Sequence, residues 1–128
     1  MKKVNKKWGH ELLIVNREYC GKFLKLKKGY HCSYHRHPVK DEAFHILHGL
    51  VGMRIGSEET ILKPGDTVII EPRTLHSFAG LSKGEYSTII EFSTHHEDSD
   101  TERVTESGKL TNEEIKQWRH LIIAQKRK

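Results

Sequence analysis

Short runs of apolar and β-branched residues, punctuated by glycine-bearing turns, leave this chain few folds to choose from. Leu12 to Val15, Gly21 to Leu26, Ala43 to Leu47, Val51 to Ile55, Thr67 to Ile70, His76 to Phe78 and Tyr86 to Phe92 are each of strand length. Between them stand Lys28-Gly29, His48-Gly49, Gly56-Ser57, Lys63-Pro64-Gly65-Asp66, Gly80 and Lys83-Gly84. In the Pro64-Gly65 turn, proline presets its own backbone angle and glycine accepts a left-handed one. Strands this short and this regularly broken predict an all-β sandwich or barrel. With 128 residues there is room for one such domain.

The pattern changes after Phe92. Residues 94–108 are polar and read as loop. Thr111-Asn112-Glu113-Glu114 then opens a helix, with Thr111 as cap, Glu114 reaching back and Leu110 stapling onto Ile115. Ile115, Trp118 and Ile122 recur on one face. The expected organisation is a barrel over residues 1–109 and a helix over 110–128, packed on the barrel or on a partner subunit.

Ten histidines are an unusual share for a chain of this size, and their placement carries the chemistry. In Gly29-Tyr30-His31-Cys32-Ser33-Tyr34-His35-Arg36-His37-Pro38-Val39-Lys40-Asp41-Glu42, His35 and His37 lie two apart, so on an extended strand both rings point to one side. Glu42 lies beyond a bend at Pro38 and adds a carboxylate from the next strand. His76, on a later strand, closes the set. Three imidazoles and one carboxylate suit a single divalent ion, Zn, Mn, Fe, Co or Ni.

These residues carry a resemblance to the cupins. The first cupin motif, G-x5-H-x-H-x3-4-E-x6-G, is matched at Gly29, His35, His37, Glu42 and Gly49. The second, G-x5-P-x-G-x2-H-x3-N, is matched at Gly65 and His76. Glu71 stands at its proline position, with Pro72 one place late, Arg73 at its second glycine and Gly80 at its asparagine. The resemblance implies a small jelly-roll barrel with a C-terminal helix, and His35, His37, Glu42 and His76 as metal ligands.

Further stretches resemble particular cupins. Lys7-Trp8-Gly9-His10-Glu11 looks like the opening of sugar-processing members. Ile90-Glu91-Phe92, the acidic Glu97-Asp98-Ser99-Asp100-Thr101-Glu102-Arg103 and Gly108-Lys109 look like the tail of type II phosphomannose isomerases. The spacing of His35, His37, Lys40 and Glu42 is similar to that of cupin-type D-lyxose isomerases. The implied activity is metal-dependent interconversion of an aldose and a ketose, free or phosphorylated. Glu91 and Lys40 are then the catalytic candidates, and Arg103, Trp8 and His45 the substrate-binding ones. His31, His48, His95 and His96 read as strand-face or loop residues. An iron-dependent oxygenase and a non-catalytic sugar-binding or accessory cupin are the alternatives, since one fold hosts many chemistries.

Charge and cysteine content set the remaining expectations. The balance of 22 basic to 17 acidic residues collects mainly at the ends and at Lys22 to Lys28. No aromatic-interleaved basic motif accompanies it, so nucleic acid is not an expected partner. No stretch approaches the ~20 apolar residues of a membrane span, and the basic opening segment lacks the apolar core of a secretory signal. Cys20 and Cys32 form no CxxC pair, in keeping with free thiols and a cytoplasmic home. Exposed sheet edges make a homodimer the expected assembly.

Overall fold

The computed structural model describes residues 1–126. The chain runs β1 (Lys2–Lys6), β2 (Gly9–Asn16), β3 (Tyr19–Lys27), β4 (Tyr30–His31), β5 (His35–Arg36), β6 (Glu42–His48), β7 (Val51–Ile55), β8 (Glu58–Leu62), β9 (Thr67–Ile70), β10 (His76–Gly80), β11 (Tyr86–Thr94), β12 (Glu102–Arg103), β13 (Gly108–Lys109) and α1 (Asn112–Lys126). One sheet has the order β1-β2-β3-β11-β6-β9. The second has the order β12-β5-β10-β4-β13, with β7 on the free side of β10 and β8 beyond it. All the pairings are antiparallel. The two sheets enclose one core and form a barrel, as the strand pattern predicts, of the jelly-roll kind that the cupin resemblance implies.

Strand alternation decides what points inward. On β3, Lys22, Leu24 and Leu26 are buried; on β6, Glu42, Phe44 and Ile46; on β10, His76 and Phe78; on β11, Ser87, Ile89 and Glu91. Each of these strands carries its charged or ligating residue toward one end and its hydrocarbon toward the other. Register aligns the strands: Lys22 faces Glu91, Leu24 faces Ile89, and Ile89 faces Ile46. The interior is therefore polar at one end and apolar at the other, with Trp8, Leu24, Leu26, Phe44, Met53, Phe78 and Ile89 in one cluster. On the outer face of the six-stranded sheet, Phe92 lies opposite Gly21 and Ala43, and Ala43 opposite Ile69. Ile14, Phe92 and Ile69 are all exposed there.

Besides the two-residue strands β4, β5, β12 and β13, two five-residue strands lie outside the runs read from sequence. Lys2–Lys6 is an edge strand too rich in lysine to show a strand pattern, and Glu58–Leu62 begins with acids. Thr94 to Gly108 is largely irregular, as expected, apart from the short β12.

The helix is capped as its sequence predicts. The Glu114 amide donates to Thr111 Oγ1 at 3.1 Å, and the Thr111 amide donates to Glu114 Oε1 at 2.9 Å. It begins at Asn112, and residues 127–128 of the expected span lie outside the described residues. Trp118, Ile115, Leu121 and Ile122 pack with Ile61, Ala79 and Leu110 on the outside of the second sheet. Gln125 reaches the backbone of β8: Ile61 N donates to Oε1 at 2.7 Å, and Nε2 donates to Ile61 O at 3.1 Å. Beneath the tryptophan, a methyl group at Gly52 would lie 2.8 Å from the indole ring. Among the described residues, no helix is long and apolar enough to cross a membrane.

That contact sets a coupled expectation. Trp118→Ala should lower stability by about 3–5 kcal/mol, and Gly52→Ala by about 1–3 kcal/mol through overpacking. In the double variant the glycine substitution should add almost nothing, because the ring it strikes is gone. Denaturant unfolding of the variants measures the coupling; simple additivity would refute this account of the helix seat.

Candidate metal centre

The polar end of the barrel gathers His35 from β5, His37 just after it, Glu42 at the start of β6 and His76 at the start of β10. Register brings His35 and His76 directly opposite one another. The ring centroids of His35 and His76 are 4.5 Å apart, and those of His35 and His37 4.9 Å. One ligand nitrogen from each of the three rings falls within 4.8 Å of the others. Glu42 Oε2 lies 3.3 Å from His37 Nε2 and 3.4 Å from His76 Nε2.

Backbone carbonyls fix which nitrogen faces the centre. His35 Nδ1 lies 2.7 Å from the Ser33 carbonyl, His37 Nδ1 2.8 Å from that of Asp100, and His76 Nδ1 2.9 Å from that of Thr74. A carbonyl accepts only, so each Nδ1 carries the hydrogen and each Nε2 keeps a lone pair. Burial, with His76 beside it, pushes His35 down to about 3, and burial outweighs Glu42 in lowering His37. The Nε2 atoms of His37 and His76 thus face the Glu42 carboxylate. Glu42 Oε2 and His76 Nε2 are fully buried without a hydrogen-bond partner. Orphaned buried acceptors are costly unless a cation sits among them, so this donor set fits a divalent ion. Three imidazole nitrogens and one carboxylate could hold it and leave coordination positions open.

A turn supports the later histidine. The Arg73 amide donates to the His37 carbonyl at 2.8 Å, joining the two histidine-bearing segments. Arg73 has φ of 69°, the left-handed region that glycine adopts without strain. It stands where the cupin motif carries glycine; the turn geometry is kept despite the arginine.

Beside the histidines lies a cavity of about 310 Å³. Lys40, Glu91, Trp8 and Arg103, all expected site residues, line it. Lys40 is not a solvated loop lysine. It is 3% exposed, its Nζ 3.2 Å from Glu91 Oε2, 3.8 Å from Glu42 Oε1 and 3.1 Å from His96 Nδ1. Burial alone would lower the Lys40 pKa, but Glu91 and Glu42 outweigh it and hold the ammonium above its ordinary value. Burial opposes the charge on Glu91, yet Lys40 and Lys22 keep its carboxyl below the usual range. Lys22 in turn lies 3.4 Å from Glu11.

Other expected residues fall differently. Trp8 is 5% exposed and packs edge-on against Phe78, with centroids 5.2 Å apart. It is a core residue that also walls the cavity, not a free stacking platform. Arg103 is exposed at the cavity mouth. His45 is a correction: one residue out of phase with Glu42, Phe44 and Ile46, it turns to the outer face and meets Thr67 Oγ1 at 2.7 Å. His96, read from sequence as a loop residue, belongs to the cavity. Lys40 donates to its Nδ1, its Nε2–H donates to Asp98 Oδ1 at 2.9 Å, and the Asn16 side chain grips its backbone amide and carbonyl at 2.9 and 3.0 Å. His95 points away, toward the Arg17 carbonyl.

The protein should purify with about one divalent ion per chain, and the His35→Ala/His76→Ala double variant should not. Elemental analysis decides; stoichiometric metal in that variant would overturn the ligand set. Lys40→Met alone should cost about 3–5 kcal/mol by stranding Glu91, and Lys40→Met/Glu91→Gln distinctly less. Chemical denaturation of the metal-loaded proteins reads both.

Residues 22–92 match the cupin domain family. A protein of Thermosediminibacter oceani named D-lyxose/D-mannose isomerase is 33% identical, over 70% of this chain and 65% of that one. The chain thus spans somewhat less than two thirds of that relative's length. Among solved structures, a cupin-like protein of Thermotoga maritima superposes with a TM-score of 0.67 at 22% identity, covering 84% of this chain and 82% of that one. KdgF from Halomonas superposes at 0.65 with 19% identity, covering 70% and 81%. Pac13, described as a nucleoside dehydratase, superposes at 0.69 with 11% identity, covering 88% and 89%. At those identities the likeness is one of fold, and it agrees with the two-sheet barrel; with the domain match across more than half its length, this chain belongs to the cupin family.

Proposed function

We propose that this chain is a metal-dependent isomerase that interconverts an aldose and a ketose, with His35, His37, Glu42 and His76 as the ligands. The observation that carries the reading is the buried Lys40–Glu91 pair, 3.2 Å apart, on the wall of the same cavity as the histidines. A merely structural ion pair has little reason to sit in a cavity wall, where removing two charges from water costs several kcal/mol per ion. The likeness to the Thermosediminibacter oceani D-lyxose/D-mannose isomerase supports the same chemistry.

Isomerisation moves a proton between neighbouring carbons of an open-chain sugar. A bound divalent ion supplies Lewis acidity to the carbonyl and adjacent hydroxyl, and Zn, Mn, Fe, Co and Ni all suit these ligands. Glu91 is held ionised, so it can accept the proton from one carbon and return it to the next. A carboxylate paired with an ammonium is a weak base. Its strength grows when Lys40 turns an N–H toward the substrate oxygen and loosens its hold. His96 and Glu42 keep the Lys40 ammonium in place for that turn. Trp8 and Phe78 exclude water from the floor, and Arg103 stands at the entrance.

Metal-loaded protein should convert at least one member of an aldose and aldose-phosphate panel, with solvent deuterium entering C2, read by NMR after metal removal. Glu91→Gln should cut kcat by roughly a hundredfold or more and leave the metal content unchanged. Absence of exchange with every sugar would favour a non-catalytic sugar-binding or accessory cupin. Oxygen uptake with Fe(II) would favour an oxygenase.

We further propose that two copies pair through the outer strip containing Ile14, Phe92 and Ile69, because contiguous exposed hydrocarbon of this kind marks an association surface. Light scattering should give twice the 14.9 kDa chain mass, and Phe92→Lys should return it to one.

A further inference from the structure

The cavity does not end at the metal centre. A second space of about 230 Å³ lies beside it along the inner face of the β1–β2 hairpin. Lys6, Glu11, Lys22, His96 and Asp98 line both spaces, so the two adjoin. Lys2, Val4 and Lys6 alternate onto the face of β1 that borders the extension. Register places Lys2 opposite Leu13, and Leu13 opposite Lys22. Lys2 and Lys22 thus belong to the cross-strand row that continues to Glu91.

The charges here are unevenly satisfied. Glu11 is taken by Lys22 at 3.4 Å, and Asp98 accepts from His96 at 2.9 Å. Lys40 is held by Glu91 and Glu42. Among the described residues, Lys2, Lys6 and, at the mouth, Arg103 have no carboxylate within ion-pair distance. Lys6 and Lys22 bear on Asp98, which lies below the usual carboxylate range first through its hydrogen bond from His96. Leading away from a centre built for a divalent cation, the walls therefore keep unpaired positive charge. Such a passage disfavours a neutral arm and favours an anionic one.

We propose that the hairpin extension is a subsite for an anionic group, phosphate or carboxylate, carried on the substrate at the end remote from the carbons that react. The claim rests on the isomerase reading and narrows its substrate class to acidic sugars. Lys2 and Lys6 take the anion from one side. Arg103 lines the metal-end cavity and not the extension, so the anion is left to the two lysines. A neutral sugar would occupy the metal end and leave the lysines facing water.

The test compares an aldohexose, its 6-phosphate and the matching uronic acid on metal-loaded protein. The expected result is a kcat/KM for one acidic sugar roughly tenfold or more above the neutral one, as charge-assisted hydrogen bonds imply. That preference should shrink as ionic strength rises. Lys2→Gln/Lys6→Gln should reduce it about tenfold, while Lys83→Gln/Lys116→Gln, the same charge change on exposed positions elsewhere, should leave it intact. A larger effect for the phosphate or for the uronic acid identifies which anion is read. Equal turnover of neutral and acidic sugars, or a preference untouched in Lys2→Gln/Lys6→Gln, overturns the subsite and leaves the isomerase standing. If no sugar turns over, the isomerase reading fails by itself, and the subsite is judged with inorganic phosphate. Saturable NMR shifts of the hairpin amides that vanish in Lys2→Gln/Lys6→Gln sustain it; shifts that persist there, or none, refute it.

Discussion

Three imidazole rings and a carboxylate converging at one end, each ring anchored at Nδ1 by a backbone carbonyl, are the constraint on which the rest of this barrel depends. The three Nδ1 hydrogens are committed to the carbonyls of Ser33, Asp100 and Thr74. Glu42 Oε2 and His76 Nε2 stay buried without a hydrogen-bond partner, and a cation bound among the rings would satisfy both. The supporting carbonyls come from three separate segments, one of them the irregular stretch after β11. Ligand geometry thus depends on tertiary packing well beyond the strands that carry the rings.

The interior divides along its axis. Phe44, Ile46, Leu24, Leu26 and Ile89 close one end with hydrocarbon, and one strand position further along each inward row turns ionic. This arrangement lets a small domain keep a dry core while burying two lysine–glutamate pairs. The pairs Lys40–Glu91 and Lys22–Glu11 are linked, because Lys40 also meets Glu42 and Glu91 also feels Lys22. Lys22 both faces Glu91 across the strands and pairs with Glu11. The ionic layer behaves as one unit, and a change to any member is felt by the rest.

Much of this was legible in the residue order, for identifiable reasons. The two-residue spacing of His35 and His37 is a statement about a strand's alternation, and it held. The capping pattern at Thr111 and Glu114 is local and needs no tertiary information. Lys40 and His96 were harder, because no local pattern distinguishes a lysine in a loop from a lysine folded under one. Lys40 is drawn inward by Glu91, fifty-one positions away, as well as by nearby Glu42, and His96 by an asparagine eighty positions away. His45 could have been excluded from parity alone, since it alternates with Glu42 and Phe44. The strand at Lys2–Lys6 was hidden because Lys2, Val4 and Lys6 line a surface cavity and not a core. Arg73 shows the opposite failing of pattern: the motif's glycine is lost while the backbone angle that glycine serves is retained.

Gln125 makes a connection of another kind. Among the described residues strand β8 pairs only with β7, which leaves one border of the second sheet open. The glutamine amide meets both backbone groups of Ile61, as a neighbouring chain segment would. One side chain thus imitates a strand of unit length, and the helix that carries it serves as a hem to the sheet. The barrel is thereby sealed, at that border, against the unwanted stitching of one molecule to the next.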